Sequence, residues 1–220
     1  MRDTIFQDRV EAGRRLGEAV MREVGHPLPL VLALPRGGVP VGFEVARALD
    51  AEFDVFVVRK LPVPGKEDLA LGALASGGVR VINQAVVVQT GVSRDTIDAV
   101  TEHEYEEVQR REGLYREGRP AIPVEGRVVI LVDDGLATGS TMQAAAQALR
   151  ELEPVWLVVA VPVGSTKQCE RLRAYCDQLI CLEEREPFGP VGEWYREFPK
   201  VTDDEVRGLV DSALRQYAAR

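Results

Sequence analysis

The sequence contains few of the residues that build metal and disulfide sites. Its 220 residues include two histidines and three cysteines. His26 and His103 have no partner histidine at helical spacing, which argues against a histidine-based metal site. Cys169, Cys176 and Cys181 match no common zinc or redox spacing, so we expect buried or partly buried thiols.

Long apolar runs and excess positive charge are also missing. No run approaches the roughly 20 apolar residues of a membrane helix, which predicts no membrane partner. Residues 1–13 lack the apolar centre of a signal peptide, so we expect a cytoplasmic protein. The 27 basic and 35 acidic side chains give a net charge of −8, which disfavours nucleic-acid binding. A hydrophobic content of 45% excludes a disordered chain.

Short apolar segments alternate with helical patterns along the chain. The predicted strands are residues 28–34, 54–58, 128–134, 155–161 and 178–182. The predicted helices are residues 3–24, 40–50, 94–117 and 165–175, one helix after loop 135–141, and a final helix opened by the capping box Thr202–Glu205. This alternation predicts an α/β fold with a mostly parallel central sheet and helices on both faces.

The remaining segments predict additions to that core. We expect a core over 1–182 that carries an insertion at about 83–127, followed by a C-terminal hood and helix over 183–220. Prolines and glycines in 60–78 predict a long loop, followed by two short β segments around 79–82 and 85–89. The dense charges of helix 94–117 predict a solvated face rather than a binding surface.

The strongest functional signal is the segment VVILVDDGLATGSTM, residues 128–142. A strand ends in Asp133 and Asp134, and the chain then turns through Gly135 and Gly139 into a helix. The loop amides and the first helical amides would form a cradle for an anion. Carboxylates repel phosphate, so the acid pair suits a sugar diol or Mg²⁺. Together these features predict a sugar-phosphate site, and the spacing matches neither a P-loop nor a Rossmann fingerprint.

This segment resembles the diphosphate-sugar binding motif of type I phosphoribosyltransferases, with Leu-Ala-Thr-Gly as in the adenine-specific branch. The resemblance implies that Asp133 and Asp134 hold the ribose hydroxyls of phosphoribosyl diphosphate, the second through a magnesium-bound water. The residues implied in binding the 5-phosphate, beside Gly135, are Ala137, Thr138, Gly139, Ser140 and Thr141. Ala137 stands where the hypoxanthine-guanine branch has an aspartate. This difference argues against that branch and leaves adenine-like, uracil-like, orotate-like and other substrates open.

A second motif, ALPRGGVP at 33–40, lies between the first predicted strand and a helix. Alone it is typical of a turn. In the resembled family this position is the pyrophosphate loop, which implies roles for Pro35, Arg36, Gly37 and Gly38 and a cis peptide bond between Pro35 and Arg36. Arg36 would supply a permanent cation for phosphate oxygens.

Two weaker signals follow. Arg59 and Lys60 form either a surface basic pair or, as the resemblance implies for Lys60 above all, a contact to the diphosphate. The candidate contacts of a flexible lid in the next loop are Lys66, Glu67 and Ser76. Four aromatic residues of the hood form either a satellite core or a platform for the base, for which Phe188 and Trp194 are the candidates; the other two are Tyr195 and Phe198.

The resemblance therefore predicts a magnesium-dependent phosphoribosyltransferase of nucleoside metabolism, such as nucleotide salvage. A nitrogenous base would displace pyrophosphate from phosphoribosyl diphosphate, with Arg36, Lys60, Asp133 and Asp134 as catalytic residues. No general base stands out. The sequence does not fix the oligomeric state, and the resemblance leaves a homodimer open because dimers are common in the family. The alternative is a non-catalytic regulatory protein that binds the diphosphate sugar or a nucleotide. A hydrolase or phosphotransferase ranks last, since no Asp-x-Asp pattern is present.

Overall fold

The computed structural model describes residues 4–25 and 28–218, without the side chains of Glu67 and Asp68. His26 therefore lies outside the described residues, as does the predicted start of the first helix at residue 3. Within the described part of the chain, no helix has the length and apolar character needed to cross a bilayer.

The described residues form seven α-helices and eight strands. The helices are α1 (Arg9–Val24), α2 (Gly38–Leu49), α3 (Gln84–Thr90), α4 (Arg94–Arg116), α5 (Ser140–Arg150), α6 (Thr166–Leu172) and α7 (Asp203–Ala218). The strands are β1 (Leu30–Ala33), β2 (Glu52–Val55), β3 (Val58–Val63), β4 (Lys66–Ala75), β5 (Arg80–Ile82), β6 (Val128–Val132), β7 (Trp156–Ser165) and β8 (Gln178–Arg185). A short 3-10 turn spans Val191–Trp194.

Five strands form a parallel sheet in the order β2-β1-β6-β7-β8, which confirms the predicted α/β class. Both faces of this sheet are covered, so its central strands are buried throughout. In β6, Val129 and Leu131 pack with α5 and α6 on one face. Ile130 and Val132 pack with α1, α2 and α7 on the other face. Continuous burial explains why these strands have uninterrupted apolar sequences.

The prediction of a long loop over 60–78 is wrong. Strands β3, β4 and β5 form a separate antiparallel sheet, and the predicted strand 54–58 is divided between β2 and β3. The prolines and glycines that suggested a loop occupy the irregular positions of a hairpin. Pro62 lies at a register shift, and Gly65 has the positive φ of 74° that its turn requires.

The predicted β segment at 85–89 is helical instead. Asn83 accepts a hydrogen bond from the Val86 amide and begins α3, and Gly91 ends the helix with a φ of 64°. The run of three valines favours a strand by intrinsic propensity, and the two end caps override that preference.

Helix α4 is present as predicted, but its charged face is not simply solvated. Glu104 binds Arg59 of β3 at 2.7 Å, and Arg116 binds Asp54 of β2 at 2.9 Å. Glu104, Asp54 and Arg116 are buried. The Tyr115 hydroxyl donates a hydrogen bond of 2.6 Å to Asp203 at the start of α7. The inserted helix therefore joins the hairpin, the edge of the main sheet and the C-terminal helix.

The predicted capping box is confirmed. The Thr202 amide donates to Glu205 Oε2 at 2.7 Å, and the Glu205 amide donates to Thr202 Oγ1 at 3.2 Å. The cysteines are free, as expected: Cys169 and Cys176 are buried and Cys181 is partly buried.

Candidate functional site

The two predicted binding loops meet at one edge of the main sheet. Strands β1 and β6 are adjacent and parallel, so the loops that follow them leave from the same carboxyl edge. The chain continues from β1 through α2 to β2, and from β6 through α5 to β7 on the opposite side. This reversal is the topological switch point at which open α/β sheets bind ligands.

The loop after β6 is the segment in which the sequence predicts an anion cradle. Gly139 has a φ of 72° and turns the chain into α5, which begins at Ser140. The first-turn amides of α5 have no intrahelical acceptor and therefore face the loop. The hydroxyls of Thr138 and Ser140 lie 3.3 Å apart. A cavity of about 210 Å³ is lined by this loop. Its lining residues include Asp133, Asp134, Gly135, Ala137, Thr138, Gly139, Thr141 and Val191.

The loop after β1 lies beside the cradle. The peptide bond between Pro35 and Arg36 is cis, as the resemblance implied. Arg36 and Gly37 line a second cavity, of about 480 Å³, and Gly38 begins α2. The rest of its lining consists of Arg9, the two acids, Val191 and the hood residues 198–201. Because the acid pair and Val191 line both cavities, the two cavities form one cleft between the sheet edge and the hood.

The two acids have different environments. Asp134 Oδ2 lies 2.8 Å from Arg9 Nε, whereas Asp133 has no ion-pair partner among the described residues. Asp133 Oδ1 accepts a hydrogen bond of 2.8 Å from the Asp134 amide. Burial raises the pKa of both carboxyls; the Asp134 charge adds to the rise at Asp133, and Arg9 opposes the rise at Asp134. Asp133 is therefore the acid that remains available to a ligand.

Arg9 and Lys200 are site residues that sequence reasoning missed. Arg9 is the first residue of α1 and binds Asp134, which lies 125 residues later in the sequence. No local sequence spacing predicts such a contact. Lys200 lies in the hood and lines the larger cavity with Arg36. Its place just before the capping box carries no functional signal. Three cations therefore line the cleft beside the acid pair. Arg9 is paired with Asp134, and Arg36 and Lys200 are the other two.

Several predicted residues do not line this cleft. Lys60 lines another cavity, of about 540 Å³, between the antiparallel sheet and α5, which it shares with Ser140. Arg59 is paired with Glu104. Ser76 is buried and its hydroxyl accepts the Val57 amide at 2.9 Å, so it supports the hairpin rather than a lid contact. Lys66 is exposed on β4, and the Glu67 side chain lies outside the described residues.

The hood aromatics form the satellite core that was the alternative interpretation. Trp194 is 5% exposed and stacks on Phe188 with ring centroids 5.3 Å apart. Tyr195 packs on Phe198 at 5.0 Å. Neither Phe188, which is partly exposed, nor Trp194 is among the residues that line the two cavities of the cleft, whereas Phe198 lines the larger one.

The close approach of the two loops makes Gly37 a sensitive position. A Cβ atom at residue 37 would lie 2.2 Å from Asp134 Oδ2. Because Arg9 holds that carboxylate, Gly37→Ala should displace the loop or break the ion pair. We expect a loss of about 1–3 kcal/mol in the free energy of unfolding, measured by urea denaturation. Gly113→Ala is the matched control, since nothing lies within 4 Å of its added methyl group. Equal stability of the two variants would contradict this geometry.

Comparison with known proteins finds a family model that matches most of the chain. A family model described as a phosphoribosyl transferase domain matches residues 3–194. Proteins from two strains of Mycobacterium tuberculosis, CDC 1551 and H37Rv, are each 44% identical over 214 residues. Their names assign them provisionally to the phosphoribosyl transferases. The match covers 97% of this chain and 48% of each relative, so the chain spans about half the length of the curated relatives it matches.

Solved structures share the fold. TT1426 from Thermus thermophilus superposes with a TM-score of 0.85 at 39% identity, covering 94% of this chain and 97% of that chain. AQ2163 from Aquifex aeolicus superposes with a TM-score of 0.50 at 10% identity, covering 84% and 76% of the two chains. This second likeness concerns the fold alone.

Proposed function

The chain belongs to the phosphoribosyl transferase domain family, and we propose that it transfers a 5-phosphoribosyl group from phosphoribosyl diphosphate to a small nitrogenous base. One observation carries this proposal. One continuous cleft at the switch point of the sheet is lined by an anion cradle, by Asp133, which has no ion-pair partner among the described residues, and by Arg36 and Lys200; Arg9, paired with Asp134, lines it as well. These groups have the chemistry to bind the phosphate, the sugar diol and the diphosphate of that substrate.

Each part of the substrate has a place in the cleft. The 5-phosphate would bind the loop amides and the hydroxyls of Thr138, Ser140 and Thr141. The ribose hydroxyls would donate to Asp133, which has no cation partner in the described part of the chain. The diphosphate would lie at the cis-peptide loop, between Arg36 and Lys200.

The donor set fits a magnesium ion that is shared with the substrate. The described residues contain no cluster of three or more His, Cys, Asp or Glu side chains suited to a metal ion. Mg²⁺ commonly binds one or two carboxylates, several waters and the phosphates of a substrate. Asp133, and Asp134 through its second oxygen, would hold the ion through water. When bound, Mg²⁺ would neutralise charge on the leaving diphosphate.

The protein would act by positioning and by electrostatics. A base nitrogen forms a bond to the anomeric carbon as the bond to the diphosphate oxygen breaks, and the bonding electrons leave with pyrophosphate. Arg36 and Lys200 would stabilise the negative charge on that leaving group. The Asp133 carboxylate would favour the positive charge that develops on the ribose ring. No described acid or histidine other than the acid pair lines the cleft, so we assign no general base, and the proton lost by the acceptor nitrogen would pass to water.

Calorimetric titration with phosphoribosyl diphosphate, with and without Mg²⁺, tests the proposal. We expect magnesium-dependent binding at one site per chain, followed by pyrophosphate release with one member of a panel of purine and pyrimidine bases. Failure of the folded protein to bind would overturn the proposal. Binding without release for any base would favour the non-catalytic regulatory alternative.

The same calorimetric titration distinguishes the two candidate diphosphate residues, Lys200 and Lys60. Lys200→Gln should weaken binding roughly 10-fold, because it removes a cation from the diphosphate cavity. Lys60→Gln should change binding less, because Lys60 lines the neighbouring cavity. The reverse order would restore Lys60 as the diphosphate residue. Magnesium dependence, a salvage role, a homodimer and a cytoplasmic location stay predictions.

A further inference from the structure

Arg9 is a buried cation that connects three parts of the molecule. It is the first residue of α1 and is 8% exposed. Its Nε donates to Asp134 Oδ2 at 2.8 Å, and its Nη1 donates to the Pro199 carbonyl at 2.7 Å. The guanidinium carbon lies 3.6 Å from the centre of the Phe198 ring. Burying a charged guanidinium group costs free energy, and this cost is offset only when its ion pair and hydrogen bonds have good geometry.

Asp134 is held on every side by these contacts. Its main-chain carbonyl accepts a 2.6 Å hydrogen bond from the Tyr195 hydroxyl, and Tyr195 packs against Phe198. Its carboxylate is so close to the cis-peptide loop that only glycine fits at residue 37. Asp134 is thus fixed to α1, to the hood and to the diphosphate loop.

The ion pair also changes the charge that the cleft presents to a ligand. Two neighbouring carboxylates at one loop would repel a substrate that carries a phosphate and a diphosphate. Arg9 neutralises the Asp134 carboxylate and leaves Asp133 as the charge that faces the cleft. Since Arg9 also binds Pro199 and Phe198, this neutralisation depends on the position of the hood.

We infer that Arg9 is a positioning residue that orients and neutralises Asp134, and that it couples the hood to the acid pair during binding of phosphoribosyl diphosphate. The inference rests on the proposed function. Arg9 also lines the cavity proposed for the diphosphate, so the test must separate its action through Asp134 from a direct contact with the substrate. Hood residues would then influence substrate affinity even where they lie outside the cleft.

The test compares Arg9→Gln and Arg9→Lys with the wild type by calorimetric titration with phosphoribosyl diphosphate and Mg²⁺. We expect Arg9→Gln to weaken affinity at least about 10-fold with an unchanged number of sites. Arg9→Lys should recover part of that affinity, because it retains the charge and loses the planar fork. Arg14→Gln is the matched control: Arg14 lies on the same helix, is 60% exposed and pairs with Glu44. We expect its affinity to stay within about 2-fold of the wild type.

A double-mutant cycle separates action through Asp134 from a general structural role. In an Asp134→Asn background, Arg9→Gln should change affinity by less than about 2-fold, because the partner charge is already gone. Tyr195→Phe, which removes one hydroxyl, should weaken affinity in the same direction as Arg9→Gln and by a smaller factor.

Three results would overturn the inference. The first is wild-type affinity in Arg9→Gln, and the second is an undiminished effect of that change in the Asp134→Asn background. The third is a fall in the number of competent sites at unchanged affinity, which would mark Arg9 as structural only. Absence of binding by the wild-type protein is a different outcome, because it would remove the proposed function itself.

Discussion

Replacing Asp133 by asparagine should weaken binding of phosphoribosyl diphosphate by roughly 10- to 100-fold while leaving the fold at least as stable as the wild type. The loss follows from exchanging a carboxylate acceptor for a neutral amide, since hydrogen bonds to charged groups contribute about 1.5–3 kcal/mol. The retained stability of Asp133→Asn follows from the surroundings of the Asp133 carboxyl. Burial and the neighbouring Asp134 charge raise the pKa of Asp133, so the folded protein holds this charge at a cost.

Asp134→Asn is the matched comparison, and it should behave differently. This change leaves the buried Arg9 without its ionic partner, so we expect the free energy of unfolding to fall by about 1–3 kcal/mol. Urea denaturation and calorimetric titration of both variants measure the contrast. If Asp133→Asn proved the less stable of the two, or bound as tightly as the wild type, the assignment of separate roles to the two acids would be wrong.

Replacing Arg116 by methionine should have the largest effect on stability. Arg116 is 5% exposed, and its Nε lies within 3.0 Å of both oxygens of Asp54, which is itself 3% exposed. Its Nη2 also donates to the Val55 carbonyl at 2.8 Å. Removing one partner leaves an uncompensated buried carboxylate, so we expect a loss of about 3–5 kcal/mol in urea denaturation at pH 7.

The stability that Arg116→Met loses relative to the wild type should become smaller as the pH falls. Burial raises the pKa of Asp54 above its ordinary value, and Arg116 opposes that rise. Without Arg116 the folded pKa lies further above the unfolded value, so the folded variant gains stability relative to the wild type as pH falls through that pKa. Denaturation at pH 7 and pH 5 should therefore give a smaller difference between variant and wild type at pH 5. A difference that grows toward acid would contradict this sign.

Two further variants define the cause. Asp54→Asn combined with Arg116→Met should recover part of the lost stability, because no uncompensated charge remains. Arg173→Met removes a surface pair with Glu184, in which the side chains are 51% and 28% exposed, and should cost less than about 1 kcal/mol. Equal losses in the free energy of unfolding for Arg116→Met and Arg173→Met would show that burial does not strengthen the Arg116–Asp54 pair.

These contacts give the inserted segment a structural role. Arg116, Glu104 and Tyr115 of α4 bind β2, β3 and Asp203 respectively. Asp203 in turn lies 3.7 Å from Arg36. Helix α4 therefore supports the cis-peptide loop after β1 indirectly, through the first turn of α7.

Continuous apolar segments and the order of motifs were enough to predict the central architecture. The strands of the main sheet are buried on both faces, so their sequences lack polar interruptions and stand out clearly. The candidate anion cradle could also be recognised from the sequence, because its glycines, hydroxyls and acids are adjacent along the chain. The antiparallel sheet was not, since Pro62, Pro64 and Gly65 of its hairpin have the composition of a loop.

The sequence by itself therefore determined the α/β class, the family resemblance and the residues of the two candidate binding loops, all of which depend on short-range spacing. Only the tertiary structure decided which charges act together. It paired Asp134 with Arg9 and Asp54 with Arg116, brought Lys200 to the cleft and placed Lys60 in another cavity. The physical reason is that a side chain's charge environment comes from residues far apart in sequence, which only chain folding brings within hydrogen-bond distance.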